Sequence, residues 1–128
     1  MGVSSDVMRL AVPARREALG VLRTMAGNAA RLSGFDYNRV EEARLAVNEA
    51  ASLLVVNGRS STVRCLLTAD DSGLEVELEA EPGPTVWPPE LWTDTLEYVV
   101  LTAVTDVLEL VADDPPRVRL FLGPSPTR

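Results

Sequence analysis

The fold of this chain is decided by residues 35–56, which read FDYNRVEEARLAVNEAASLLVV. Asp36 can accept hydrogen bonds from the free backbone amides of a helix that follows it, and Phe35 and Val40 have the spacing of a hydrophobic staple. Apolar residues then recur at intervals of three and four, which predicts one buried helical face to about Val56, where Asn57-Gly58 ends the helix. The stripe consists of Val40, Ala43, Val47, Ala50 and Leu54.

A strand and another helix are predicted upstream of this segment. Residues 8–12 alternate apolar and other side chains and stop at Pro13, which is typical of a short strand. From Ala14 to about Leu32 the helical spacing returns, and Ser33-Gly34 ends it. The apolar face predicted for this first helix consists of Ala18, Leu22, Met25, Ala29 and Leu32.

A hairpin, a third helix and a last strand are predicted downstream. Residues 62–69 and 74–81 flank the turn signal Asp70-Asp-Ser-Gly73, and the second run alternates apolar residues with four glutamates. One sheet face is therefore expected to be core and the other to be solvated. Helical spacing continues from Leu91 to Val111, and residues 117–122 alternate again as a strand. The apolar positions of the third helix are Leu96, Val100, Ala103, Val107 and Leu110.

The predicted order is strand, helix, helix, strand, strand, helix, strand. This order favours an α/β two-layer sandwich, in which a mainly antiparallel sheet is covered on one face by helices. The chain has 128 residues, of which 46% are hydrophobic and 24% charged, as in one globular domain. We expect that domain to span residues 8–122, with flexible ends at 1–7 and 123–128.

The composition excludes several classes of site. The chain contains no His and no Lys, which rules out Ser-His-Asp hydrolysis, His-based zinc sites and Walker-type phosphate loops. Its single cysteine, Cys65, cannot form an internal disulfide, and this favours a reducing cytoplasm. No apolar run reaches the roughly 18–20 residues that span a bilayer, and the N-terminus lacks the features of a signal peptide, so no membrane association is expected.

The net charge of −7 is divided unevenly along the chain. Residues 1–64 contain 9 Arg and 6 acidic residues, whereas residues 65–128 contain 3 Arg and 13 acidic residues. Nucleic-acid binding is disfavoured, because phosphate affinity needs clustered positive charge. Two interpretations of the acidic half remain open: a solvated surface that aids solubility, or a face that meets a basic protein partner.

A family resemblance rests on Arg44-Leu-Ala-Val-Asn-Glu-Ala-Ala51 in the middle of the second helix, together with Val21-Leu-Arg-Thr-Met25 in the first. With the predicted element order, this chain resembles the RsbW-type anti-sigma factors and serine kinases of the GHKL (histidine-kinase-like ATPase) superfamily along roughly residues 8–122. The resemblance implies that Glu49 is the family's catalytic glutamate, although a solvated surface carboxylate is the simpler interpretation of its spacing. It also implies that Arg23 contacts protein partners, although it could be an ordinary surface arginine.

The nucleotide-binding positions of that family are degenerate here. The family's magnesium-holding asparagine falls on Leu53, which offers no oxygen to a hard cation. The nearest match to its Asp-x-Gly-x-Gly box is Glu81-Pro-Gly83, and the glycines of its second box fall on Thr95 and Glu97. A glutamate there would repel a triphosphate rather than cradle it.

The resemblance therefore implies an anti-sigma-factor-like regulatory protein that sequesters a sigma factor or binds an anti-anti-sigma partner, with no cofactor, no metal and no kinase activity. An alternative is an active ATP-dependent kinase that phosphorylates an anti-anti-sigma factor and uses ATP with magnesium. A third is a purely structural interaction domain. We also expect a homodimer, since family members commonly pair through the first strand and helix, and residues 8–12 have the character of an edge strand.

Overall fold

Five strands and three helices make up residues 4–55 and 60–125, the part of the chain that this computed structural model describes. Short 3-10 turns at Arg16–Ala18 and Trp92–Asp94 lead into the first and third helices. The strands are β1 (Asp6–Pro13), β2 (Thr62–Asp70), β3 (Gly73–Glu81), β4 (Val107–Val111) and β5 (Arg117–Leu122), and the helices are α1 (Leu19–Leu32), α2 (Tyr37–Val55) and α3 (Leu96–Val104).

The strands form one antiparallel sheet in the order β1-β2-β3-β5-β4, so β1 and β4 are its edges. Across the sheet, Cys65 lies opposite both Leu10 and Leu78, and Leu78 lies opposite Val118. These residues belong to the face that packs against α1 and α2, whereas the glutamates of β3 point to the other face. The predicted mixed α/β class and antiparallel sheet are confirmed.

Helix α2 begins as its sequence predicts. The Asp36 carboxylate accepts a hydrogen bond from the Arg39 backbone amide at 2.8 Å. Every member of the predicted stripe is at most 3% exposed, because the 3.6-residue period keeps these positions on one side of the helix. The predicted last residue, Val56, and the Asn57-Gly58 break lie outside the described residues.

The first helix ends at Leu32 as predicted, but it begins later than predicted. Residues 16–18 form a 3-10 turn and α1 starts only at Leu19. Leu32, expected on the buried face, is 53% exposed, since the helix packs through its alanines instead. The buried positions of α1 are Leu19, Leu22, Ala26, Gly27, Ala29 and Ala30.

The prediction of one helix over residues 91–111 is wrong. Leu91 has a left-handed backbone (φ 54°), a 3-10 turn follows it, and α3 covers only Leu96–Val104. After Thr105 the chain becomes β4, in which Leu108 lies opposite Leu120 of β5. Val107 and Val111 are β-branched and suit a strand, and the backbone groups of Val107–Val111 pair with β5. The observed order is therefore β-α-α-β-β-α-β-β.

No helix within the described ranges has both the length and the apolar character needed to cross a bilayer.

Candidate functional site

A groove of about 510 Å³ lies between α1 and α2. Leu19 and Val55 supply its apolar lining, and Leu19 is only 4% exposed. The polar lining comes from both helices and from the 3-10 turn that precedes α1, and consists of Arg16, Arg23, Asn48 and Ser52. We call this surface the arginine groove. Among the described residues, its lining includes two arginines and no acidic side chain.

The Arg23 side chain is held across the groove by α2. Its Nη1 donates a hydrogen bond to Asn48 Oδ1 at 2.6 Å, and Asn48 Nδ2 donates to Glu49 Oε2 at 3.1 Å. The guanidinium also lies close to Gly20, where an added Cβ would come within 3.2 Å of Arg23 Nη2. The lack of a side chain at Gly20 thus leaves room for the arginine. The arginine and the glutamate singled out by the resemblance are therefore linked through one amide.

The charge of the groove is not neutralised within the described part of the chain. Neither Arg16 nor Arg23 forms an ion pair there, although other arginines do, such as Arg39 with Asp106. A guanidinium has five N–H donors in a planar fork, and Arg23 uses one on Asn48. The remaining donors suit a carboxylate or phosphate, which two parallel hydrogen bonds can bind.

The position that the resemblance assigns to magnesium is part of the core. Leu53 follows Glu49 by one helical turn, but it is only 6% exposed and belongs to the main hydrophobic cluster. Glu49 itself is half-buried. Since a leucine side chain has no lone pair for a hard cation, Leu53 contributes packing and not coordination.

Glu81 and Gly83 lie away from Glu49. Glu81 ends β3 on the sheet face opposite the helices, where it pairs with Arg64. Gly83 packs against Pro116, whose Cδ would stand only 2.5 Å from an added Cβ, so this glycine allows the close approach of two loops. The structure does not bring these two residues together with Glu49.

Thr95 and Glu97 lie together at the start of α3. The Thr95 hydroxyl oxygen accepts a hydrogen bond from the Tyr98 amide at 3.2 Å and donates to the Trp92 carbonyl at 2.6 Å. Thr95 is therefore the N-cap of the helix, and Glu97 occupies its first turn. A carboxylate at this end interacts favourably with the helix dipole, which is where a bound anion would otherwise gain stabilisation.

Three residues of the arginine groove were missed by motif analysis. Arg16 and Ser52 belong to no short motif, and Asn48 lies inside the Arg44–Ala51 stretch but was given no role there. Arg16 precedes Arg23 by seven residues, and Asn48 precedes Ser52 by four, so each pair shares one side of a helical stretch. That the two pairs meet depends on how α1 packs on α2, which is a tertiary property.

No protein-family model matches the chain, and no curated protein matches it significantly.

Proposed function

We propose that this chain is a regulatory binding protein of the anti-sigma-factor kind, which sequesters a sigma factor or binds an anti-anti-sigma partner in the cytoplasm. The sequence around Glu49 and Arg23 motivates the proposal through its family resemblance. The observation that carries it is the arginine groove, in which Asn48 holds the Arg23 guanidinium through one of its five donors. Such a groove is suited to an acidic segment of a partner protein.

The groove favours binding over chemistry. An arginine held by a neighbouring side chain loses less conformational entropy when a partner carboxylate arrives, because part of its freedom is already lost. Arg16 adds a second guanidinium to the same lining. Two arginines can thus engage two acidic residues of a partner, and Leu19 and Val55 offer apolar contact between them.

The same residues argue against the ATP-dependent kinase. Leu53 is packed in the core, and Glu97 adds negative charge at the helix start where phosphates would sit. Glu81 pairs with Arg64 on the far face of the sheet and is not positioned with Glu49. Each of these features removes one component that ATP and magnesium require together.

The test is a binding titration of sigma factors and anti-anti-sigma proteins from the same cell against the chain and its Arg23→Ala variant. We expect Arg23→Ala to weaken binding at least about tenfold, equivalent to about 1.4 kcal/mol, while the Tm stays near that of the unmodified chain. Arg31→Ala is the matched control, because Arg31 is an exposed arginine of the same helix whose side chain bonds to Asn28 within that helix. Equal affinities for Arg23→Ala and Arg31→Ala would remove Arg23 from the binding site.

A thermal-shift measurement with Mg-ATP separates the two functional hypotheses. A ligand at one hundred times its Kd stabilises a fold by about 2.7 kcal/mol, which gives an obvious rise in Tm. We expect no rise. A clear rise, together with phosphate transfer to an anti-anti-sigma protein, would establish the kinase alternative instead.

We further propose that the chain is a homodimer that pairs through β1. This strand is an edge of the sheet, and Arg9 is its only basic residue that could deter pairing with a second chain. Sedimentation at micromolar concentration is the direct test, and a monomer mass there would count against pairing.

A further inference from the structure

The outer face of α3 is apolar and uncovered. Leu96 is 71% exposed, Val99 is 58% exposed, and Ala103 is exposed as well. These positions are three and four residues apart, so they lie along one side of the helix, and we call them the α3 apolar face. Of the nine residues of α3, only Leu101 is buried. Much of the apolar surface of these side chains therefore remains exposed to solvent in this fold.

Helix α3 is held in place without any cover on that face. Its N-cap, Thr95, is fixed by two hydrogen bonds, and Trp92 packs edge-on against Tyr98 with ring centroids 5.2 Å apart. On one flank it packs against α2, which in turn packs against α1, so α3 is at the end of the helical layer. The α3 apolar face is therefore presented by a helix that is already formed, which lowers the entropic cost of binding.

The charged residues in the part of the sequence that contains α3 are all acidic. Residues 65–116 contain thirteen acidic residues and no arginine or lysine. Glu90 and Asp94 are exposed in the segment that leads into α3, and Glu97 lies in its first turn. An apolar strip bordered by carboxylates is complementary to an apolar strip bordered by cations.

We propose that the α3 apolar face docks a basic amphipathic helix of a partner protein. The partner helix would lay its apolar side on Leu96 and Val99 and direct Arg or Lys toward Glu90, Asp94 and Glu97. A second copy of this chain is disfavoured, since two such faces would bring the same carboxylates together, and an anionic membrane is repelled for the same reason. This surface lies beyond the proposed function, because it uses neither the arginine groove nor Glu49.

The probe is a synthetic peptide of about 15 residues, with Leu at intervals of three and four and Arg elsewhere, and a matched peptide with Glu replacing each Arg. Amide chemical shifts of the isotope-labelled chain report the site and the Kd. We expect the Arg peptide to shift residues 96–104 and the Glu peptide to leave them unchanged. The double variant Leu96→Ser/Val99→Ser should weaken binding of the Arg peptide about tenfold or more, because it removes two apolar contacts.

Two further variants keep the test decisive. Val21→Ser, at a 50% exposed position of α1, is the control and should bind as the unmodified chain does. Ala103→Glu keeps a strong helix former in α3 while placing a charge on the same face, so it separates a blocked surface from an unfolded helix. The amide spectrum of Ala103→Glu should remain native. The shifts that the Arg peptide causes in residues 96–104 should differ from those in the unmodified chain.

Several results would overturn the proposal. Equal binding of the Arg peptide to Leu96→Ser/Val99→Ser and to the unmodified chain would mean that binding is merely electrostatic. Binding of the Glu peptide would contradict the charge argument, as would binding to zwitterionic lipid vesicles in preference to the Arg peptide. A concentration-dependent dimer that the double variant abolishes would assign the face to a second copy.

Discussion

The two flanks of the helical layer use their side chains in opposite ways. Between α1 and α2, apolar residues are buried and the surface carries the arginine groove. On α3, the apolar residues are mostly at the surface and the charges nearby are acidic. The first flank therefore contributes stability and a polar recognition surface, whereas the second contributes little to stability and leaves an apolar surface for recognition.

The largest expected difference between the flanks comes from truncating one leucine on each. Leu54 in α2 is fully buried, and Leu54→Ala should lower the free energy of unfolding by about 2–5 kcal/mol, since it leaves a cavity. Leu96 in α3 is 71% exposed, and Leu96→Ala should change the free energy of unfolding by less than about 0.5 kcal/mol. Urea unfolding of both variants measures this. Comparable losses would mean that α3 is as integral to the core as α2.

Arg39 connects the two flanks, and its removal should give the next largest effect. Its side chain is 9% exposed; Nη2 contacts Asp106 at 2.8 Å, Nη1 donates to the Val104 carbonyl at 2.9 Å, and Nε donates to the Gly123 carbonyl at 2.8 Å. Arg39→Ala should therefore lower the free energy of unfolding by about 1–3 kcal/mol, because it leaves the half-buried carbonyls of Val104 and Gly123 without their donor.

The control for Arg39 is Arg44→Ala, whose side chain is 38% exposed and whose contact with Glu41 is 3.7 Å long. An exposed pair of this kind contributes about 0–1 kcal/mol. If the two variants unfold at the same urea concentration, Arg39 does not tie the end of α3 to α2 in the way its contacts indicate.

A pH dependence is expected from the sheet beneath the first flank. Burial raises the pKa of the Cys65 thiol to about 12 from an ordinary value of 9.0. Because the thiol ionises more readily in the unfolded chain, the free energy of unfolding should fall as pH rises above 9, by about 1.4 kcal/mol per pH unit. The comparison is with Cys65→Ala, which should lack this slope. Parallel stability curves for the two proteins between pH 9 and 11 would contradict the burial of the thiol.

The smallest expected effect concerns how Arg23 is positioned. Asn48→Ala removes the acceptor of the 2.6 Å hydrogen bond and frees the guanidinium. Partner affinity should fall about threefold to fivefold, less than for Arg23→Ala, because the charge remains while its orientation is lost. Isothermal titration should show the difference mainly in the entropy of binding. A loss as large as that of Arg23→Ala would mean that Asn48 itself contacts the partner.

Local signals predicted the first flank better than the second. The Asp36 cap and the stripe of α2 act within a few residues, and both are present as predicted. In residues 91–111 the apolar spacing suits a helix along its whole length, but Val107–Val111 pair with β5 instead. Tertiary pairing outweighed local periodicity there. The β-branched ends of that run and the Thr105-Asp106 interruption were the signals that favoured a strand.

The candidate site was predictable only in part, for a related reason. Arg23 was indicated by its place in a helix that resembles a known family, and Glu49 by its motif. The arginine groove as a whole requires Arg16 from one segment and Asn48 from another, brought together by the packing of α1 on α2. The spacing of residues within one helix does not specify that Arg16 and Asn48 come together. The exposure of the α3 apolar face likewise depends on which elements lie next to α3.

The position of β1 in the sheet has a consequence for synthesis on the ribosome. Pro13 lies opposite Thr62, so β1 has no neighbouring strand until about fifty further residues have been translated. Helices α1 and α2 emerge in that interval with part of their apolar sides exposed, because they pack against β2 and β3, which are translated later. The nascent chain is therefore at its most aggregation-prone just before the hairpin leaves the exit tunnel, and a chain cut short there lacks the strands on which α1 and α2 pack.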